Sequence, residues 1–139
     1  MILLDTNVVS EPLRKAPQSR VIAWIDAQPT ETLYLSAVTV AELRFGVASL
    51  PKGRRRNALS ESLERQALQP FSGRILPFDL SASQFYAELL VKAKSAGCTM
   101  SKADAYIAAI AAAHDMSVAT RDTTPFEAAG LVVINPWDL

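Results

Sequence analysis

Short apolar runs alternate along this chain with longer stretches whose apolar positions recur every three or four residues. That alternation predicts an α/β fold with a mainly parallel sheet of about five strands. The short runs are "MILL" at Met1–Leu4, "LYLS" at Leu33–Ser36, "RILPF" at Arg74–Phe78, "MSVAT" at Met116–Thr120 and "LVVI" at Leu131–Ile134. Helical patterns lie between them at about 19–27, 36–50, 54–68, 81–96 and 101–114, with a further turn of helix after Thr6. Gly97 and Gly130 stand where helices should end. No repeat, low-complexity tract or linker interrupts the pattern, so residues 1–139 are expected to form one domain.

Against this apolar background four carboxylates stand out, Asp5, Glu42, Asp104 and Asp122, each following or interrupting a run expected to fold inside. Neighbouring buried acids raise one another's pKa unless a positive charge sits between them, and a bound divalent cation is the economical explanation. In an open parallel sheet, ligands occupy the crevice beyond the carboxyl ends of the strands. Asp5 ends the first strand and Asp122 lies two residues past "MSVAT", so both acids should line that crevice.

Glu42 needs a helical argument. It shares a face with Val38, Ala41 and Phe45, while Val40, Leu43, Val47 and Leu50 form a second apolar stripe. A helix apolar on two sides is expected to be covered twice, by the sheet and by something else such as another subunit. The alternative for Glu42 is a capping box with Thr39. A helix beginning near Ser36 would place the glutamate too deep for that. Asp104 has a similar alternative, since Ser101 could cap its helix and an acid three residues on would answer it or complement the helix dipole. The alanines of "ADAYIAAIAAA" suit close backbone packing, and they equally suit a plain high-propensity helix.

Composition narrows the function. Half the residues are apolar, enough for a core without disulfides, and the single cysteine, Cys98, fits a reducing cytoplasm. Neither a membrane-spanning stretch nor a basic leader ahead of an apolar segment is visible. Fourteen basic and fourteen acidic residues balance, so whole-molecule charge does not advertise a nucleic-acid binder. Local clusters remain, chiefly Lys52 with Arg54, Arg55 and Arg56. These residues are read either as solvated surface or as phosphate contacts. Asp79 is assigned to helix capping, His114 to a helix end, Cys98 to a bystander position, and Trp24 and Trp137 to packing.

Four stretches together, "MILLDTN", "LSAVTVAELRFGV", "DAYIAAIAAAHDMSVATRD" and "VVINPW", resemble the PIN-domain toxins of bacterial toxin–antitoxin pairs. The resemblance is to the VapC group and especially its FitB-like branch, and it spans essentially the whole chain. It implies that Asp5, Glu42, Asp104 and Asp122 form an acidic catalytic and metal-binding site. By the same resemblance, Thr6 and Thr120 support these acids through hydrogen bonds. The implied activity is hydrolysis of an RNA phosphodiester by metal-activated water. Magnesium, with manganese as a substitute, suits an all-oxygen donor set. The implied partners are an RNA substrate, a small antitoxin of the VapB or FitA type that obstructs the acidic pocket, and a second copy of the chain. DNA is reached only through the antitoxin. A different class of reading also stands, a regulatory or interaction module that binds a cation without cutting nucleic acid. Its receiver-like form lacks support, because Asp5 has no acidic neighbour and no lysine closes the last strand.

Overall fold

The computed structural model describes residues 1–139. One sheet of five parallel strands runs through it in the order β3-β2-β1-β4-β5, with β1 Ile2–Leu4, β2 Leu33–Ser36, β3 Ile75–Leu76, β4 Ser117–Ala119 and β5 Val133–Ile134. The helices are α1 Thr6–Ser10, α2 Ser19–Ala27, α3 Ala37–Ala48, α4 Arg54–Ser62, α5 Leu80–Ser95, α6 Lys102–Ala113 and α7 Thr123–Ala128. All five expected strands form, but β3, β4 and β5 are shorter than their apolar runs. Only part of each of those runs finds a ladder partner.

Alternation along the strands separates two cores. Leu3 and Val118 face a cluster built with α5, α6 and α7, whereas their chain neighbours Leu4 and Ala119 face a second cluster with Val8, Leu35, Val40, Leu43, Leu63 and Leu68. A strand buried on both faces needs an unbroken apolar run, and β1 and β4 have one. Helix α6 is the centre of the first cluster. Ala105, Ala108, Ala109 and Ala111 are all fully buried, so the alanines are there for close packing as well as for helix propensity.

The pattern expected as one helix over 54–68 is two forms of helix joined end to end. Residues Arg54–Ser62 are α-helical and Leu63–Leu68 form a π-turn. Positions five apart diverge on an α-helix but stack in a π-turn. The change therefore lets Leu63 and Leu68 both face the second core, where each is buried. Gly97 and Gly130 do follow helix ends, with φ of 76° and 88°, the left-handed conformation that glycine adopts without penalty.

Helix α3 departs from expectation. Val40 and Leu43 are buried, but Ala41 and Phe45 are exposed, Phe45 by 74%. Within this chain only one of its two apolar stripes is covered.

Because Ala108 is fully buried within the first core, Ala108→Leu should lower the unfolding free energy by about 1–3 kcal/mol through overpacking. The fall would be read from the midpoint of urea unfolding at unchanged slope.

Candidate active site

Asp5 directly follows β1. Its amide donates to Ala119 O at 2.9 Å, which continues the sheet by one bond and aims the side chain over the carboxyl edge. One carboxylate oxygen accepts the Thr6 amide at 2.7 Å and the other accepts the Thr120 hydroxyl at 2.8 Å. Thr120 in turn is held by β5, its amide donating to Ile134 O at 2.9 Å. The two threonines picked out by resemblance therefore do touch the acid.

Glu42 sits on the second turn of α3. The helix is capped by Ser36, whose hydroxyl accepts the Thr39 amide at 2.9 Å, so a capping box at Glu42 is ruled out. Its carboxylate instead accepts the Thr6 hydroxyl at 2.6 Å, across 36 residues of chain. Asp104 occupies the first turn of α6, where Ser101 caps by accepting the Asp104 amide at 3.1 Å. Asp122 precedes α7 yet makes no side-chain cap bond, and its amide donates to the Thr120 hydroxyl at 3.1 Å. Asp79, by contrast, caps α5 through Ala82, as expected for a structural acid.

Burial differs from the expectation that all four acids lie inside. Only Asp5 is buried, at 4% exposure. Asp104 is half-buried, and Glu42 and Asp122 are exposed. The crevice beyond the strand ends is open to solvent, and only the acid attached directly to the central strand lies on its floor. Burial pushes the Asp5 carboxyl up from 3.8 to about 6, against the lowering hydrogen bonds from Thr120 and Thr6, and the charges of Asp104 and Glu42 add to the rise. Asp104 is also raised, first by burial and then by Asp122 and Glu42, while a hydrogen bond with Ser101 opposes the shift. Asp5 thus feels Asp104 and Glu42, and Asp104 feels Asp122 and Glu42.

None of the four acids is in a salt bridge. The ion pairs of the molecule are Arg14–Glu11, Arg44–Glu64 and Arg65–Glu61, all elsewhere. Nor do three acidic, histidine or cysteine side chains close into a ready cage. Magnesium characteristically keeps several waters and uses one or two carboxylates rather than an all-protein cage. An oxygen-only donor set with excess negative charge and an open face fits such an ion.

Sequence reasoning missed Asn7, Ser36 and Thr39. Asn7 donates to the Thr120 hydroxyl at 3.4 Å and accepts the Arg121 amide at 3.3 Å, tying the start of α1 to the turn after β4. The available signal was three consecutive polar residues, Asp5, Thr6 and Asn7, directly after an apolar strand. Of the three arginines, Arg55 lines an open groove of about 890 Å³ together with Glu42, Arg14, Lys15, Leu43 and Val47; Arg54 and Arg56 do not line it.

The raised Asp5 carboxyl makes a signed prediction. A group whose folded-state pKa exceeds its unfolded value favours the fold when protonated. Its contribution is therefore complete below pH 3.8 and is lost as pH rises toward about 6. At 1.36 kcal/mol per pH unit the loss is about 3 kcal/mol. Without divalent cations, Asp5→Asn should accordingly be more stable than wild type by up to about 3 kcal/mol at pH 7, and the advantage should vanish below pH 4. Urea unfolding across this pH range checks it.

The sequence from residue 2 to 131 matches the PIN domain family. The chain is 59% identical over 138 residues to the VapC ribonuclease Y4jK of Sinorhizobium fredii, covering 99% of each protein. Toxin FitB of Neisseria gonorrhoeae is 55% identical over 137 residues, again covering 99% of each. Among solved structures, that of FitAB bound to an IR36 DNA fragment superimposes with a TM-score of 0.96 at 54% identity, covering 100% of this chain and 97% of that one. This chain therefore belongs to the PIN-domain family, within the group that includes the VapC ribonucleases and the toxin FitB.

Proposed function

We propose that this protein is the toxin of a toxin–antitoxin pair and acts as a metal-dependent ribonuclease. The observation that carries the reading is that Asp5 and Asp104, at the carboxyl edge of the sheet, are both raised with contributions from neighbouring carboxylates, Glu42 and Asp122 among them, while none of the four acids is in a salt bridge, in a chain 59% identical to a VapC ribonuclease. Asp5, Glu42, Asp104 and Asp122 would hold Mg2+, or Mn2+ in its place, directly or through water. When bound, such an ion lowers the pKa of a coordinated water and offsets charge developing on phosphate oxygens.

The chain's own residues have separable tasks. Asp5 is locked by Thr6 and Thr120 and presents a fixed anionic floor. Asp104 rides on the tightly packed α6, so its position is set by the core. Glu42 and Asp122 border the open side, where an RNA strand can enter. Arg55, with Arg14 and Lys15, supplies positive charge along the groove that reaches Glu42 and would hold the RNA backbone there. Three arginines in the first turn of α4 oppose the helix dipole, so they do not serve the stability of that helix.

The cognate partner in this reading is a small antitoxin of the VapB or FitA type, and DNA is contacted through it; the relative FitB is seen as FitAB bound to DNA. Homodimerisation is proposed from the uncovered stripe of α3 with Phe45. A cytoplasmic location accords with the free Cys98, and no helix is long and apolar enough to cross a membrane.

Purified, antitoxin-free protein should cleave cellular RNA in Mg2+ or Mn2+, and chelator or Asp5→Asn should reduce cleavage to background. Metal-dependent cutting that survives Asp5→Asn would remove Asp5 from the site. Absence of cutting in either metal would favour the cation-binding module instead. Arg55→Ala should weaken RNA binding and lower the slope of log K against log salt by about 0.7, one single-strand phosphate contact. An unchanged slope would return Arg55 to the solvated surface.

A further inference from the structure

Ser36, Thr39, Thr6 and Glu42 form an unbroken line of hydroxyls ending on a carboxylate. Ser36 Oγ lies 3.2 Å from Thr39 Oγ1, which lies 3.2 Å from Thr6 Oγ1, which lies 2.6 Å from Glu42 Oε1. Each hydroxyl has one proton to give, and an ionised carboxylate can only accept. The direction is therefore forced from the Glu42 end. Thr6 donates to Glu42, so Thr39 must donate to Thr6, and Ser36 must donate to Thr39. Ser36 still has a lone pair for the Thr39 amide, 2.9 Å away.

The two ends of this line differ in environment. Ser36 and Thr39 are fully buried, while Glu42 is exposed and receives no hydrogen bond other than the one from Thr6. An exposed glutamate without an anchor samples many rotamers and must be ordered each time it serves as a ligand. Thr39 fills the acceptor site of the Thr6 hydroxyl and leaves the Thr6 proton one outlet, the Glu42 carboxylate. Polarisation along the line strengthens that last bond.

We propose that Thr39, backed by Ser36, is a positioning residue that holds Glu42 toward the crevice for a divalent cation. The inference rests on the cation reading of the acidic site. It assigns the ordering of an exposed acid to two buried hydroxyls that touch neither ion nor substrate.

The test is Mn2+ binding measured by calorimetry on the intact protein, with thermal melting as the check on folding. Thr39→Val keeps the shape and removes the hydroxyl; it should weaken Mn2+ binding about tenfold, the lower end of what loss of an outer hydrogen bond to a metal ligand costs. Thr39→Ser restores the donor and should restore affinity even if it melts lower than wild type. Adding Thr39→Val to Glu42→Ala should change Mn2+ affinity no further, since the hydroxyl acts only through that carboxylate. Wild-type affinity in folded Thr39→Val would overturn the inference while leaving the cation reading in place, as would a loss that persists in the Glu42→Ala background. If wild type itself bound no Mn2+, the cation reading would fall and this inference with it.

Discussion

One carboxylate, Asp5, stands on the floor of the crevice at the carboxyl edge of the sheet, where burial opposes its charge. Asp5 is attached to the central strand β1, and both flanking constraints converge on it. The Thr6 amide fixes one oxygen, and the Thr120 hydroxyl, carried in from beyond β4, fixes the other. These bonds lower its pKa, yet burial and the charges of Asp104 and Glu42 outweigh them. The fold thus carries an electrostatic debt at this point that a cation is suited to relieve. A charge-neutral substitution relieves it too.

The rest of the architecture can be read as support for that arrangement. Parallel strands put Asp5 and the turn bearing Asp122 at the same edge, because every strand ends on the same side. Fully buried alanines bring α6 close against its neighbours and so set where Asp104 stands. The π-turn at Leu63–Leu68 anchors the far end of α4's extension in the core, while Arg55 on α4 lines the groove beside Glu42. Packing on one side and open charge on the other are both satisfied because the acids differ in depth: Asp5 is buried, Asp104 half-buried, and Glu42 and Asp122 at the rim.

Much of this was legible in the residue order. Five apolar runs became five strands, Gly97 and Gly130 ended helices, Asp79 and Ser101 capped them, and the charges of Glu42 and Asp122 came close enough to help raise Asp5 or Asp104. The misjudgements share a cause. Glu42 was expected inside because its helical neighbours Val38, Ala41 and Phe45 are apolar, but periodicity reports which residues share a face and not whether anything covers it. The helix expected over 54–68 changes form because two core leucines five residues apart must point the same way, a demand made by the second core rather than by local propensity.

The sequence by itself determined the alternation of strands and helices, the carboxylates available to a site and the family, since these follow from local periodicity, from residue type and from an ordered set of motifs. Tertiary structure alone decided which acid is buried, which hydroxyl reaches which carboxylate, and which apolar stripe stays open. Thr6 meets Glu42 across 36 residues and Thr120 meets Asp5 across 115. Here contacts of that separation arise because parallel strands align their ends. Depth in a crevice is likewise a property of surrounding elements, which no stretch of neighbouring residues encodes.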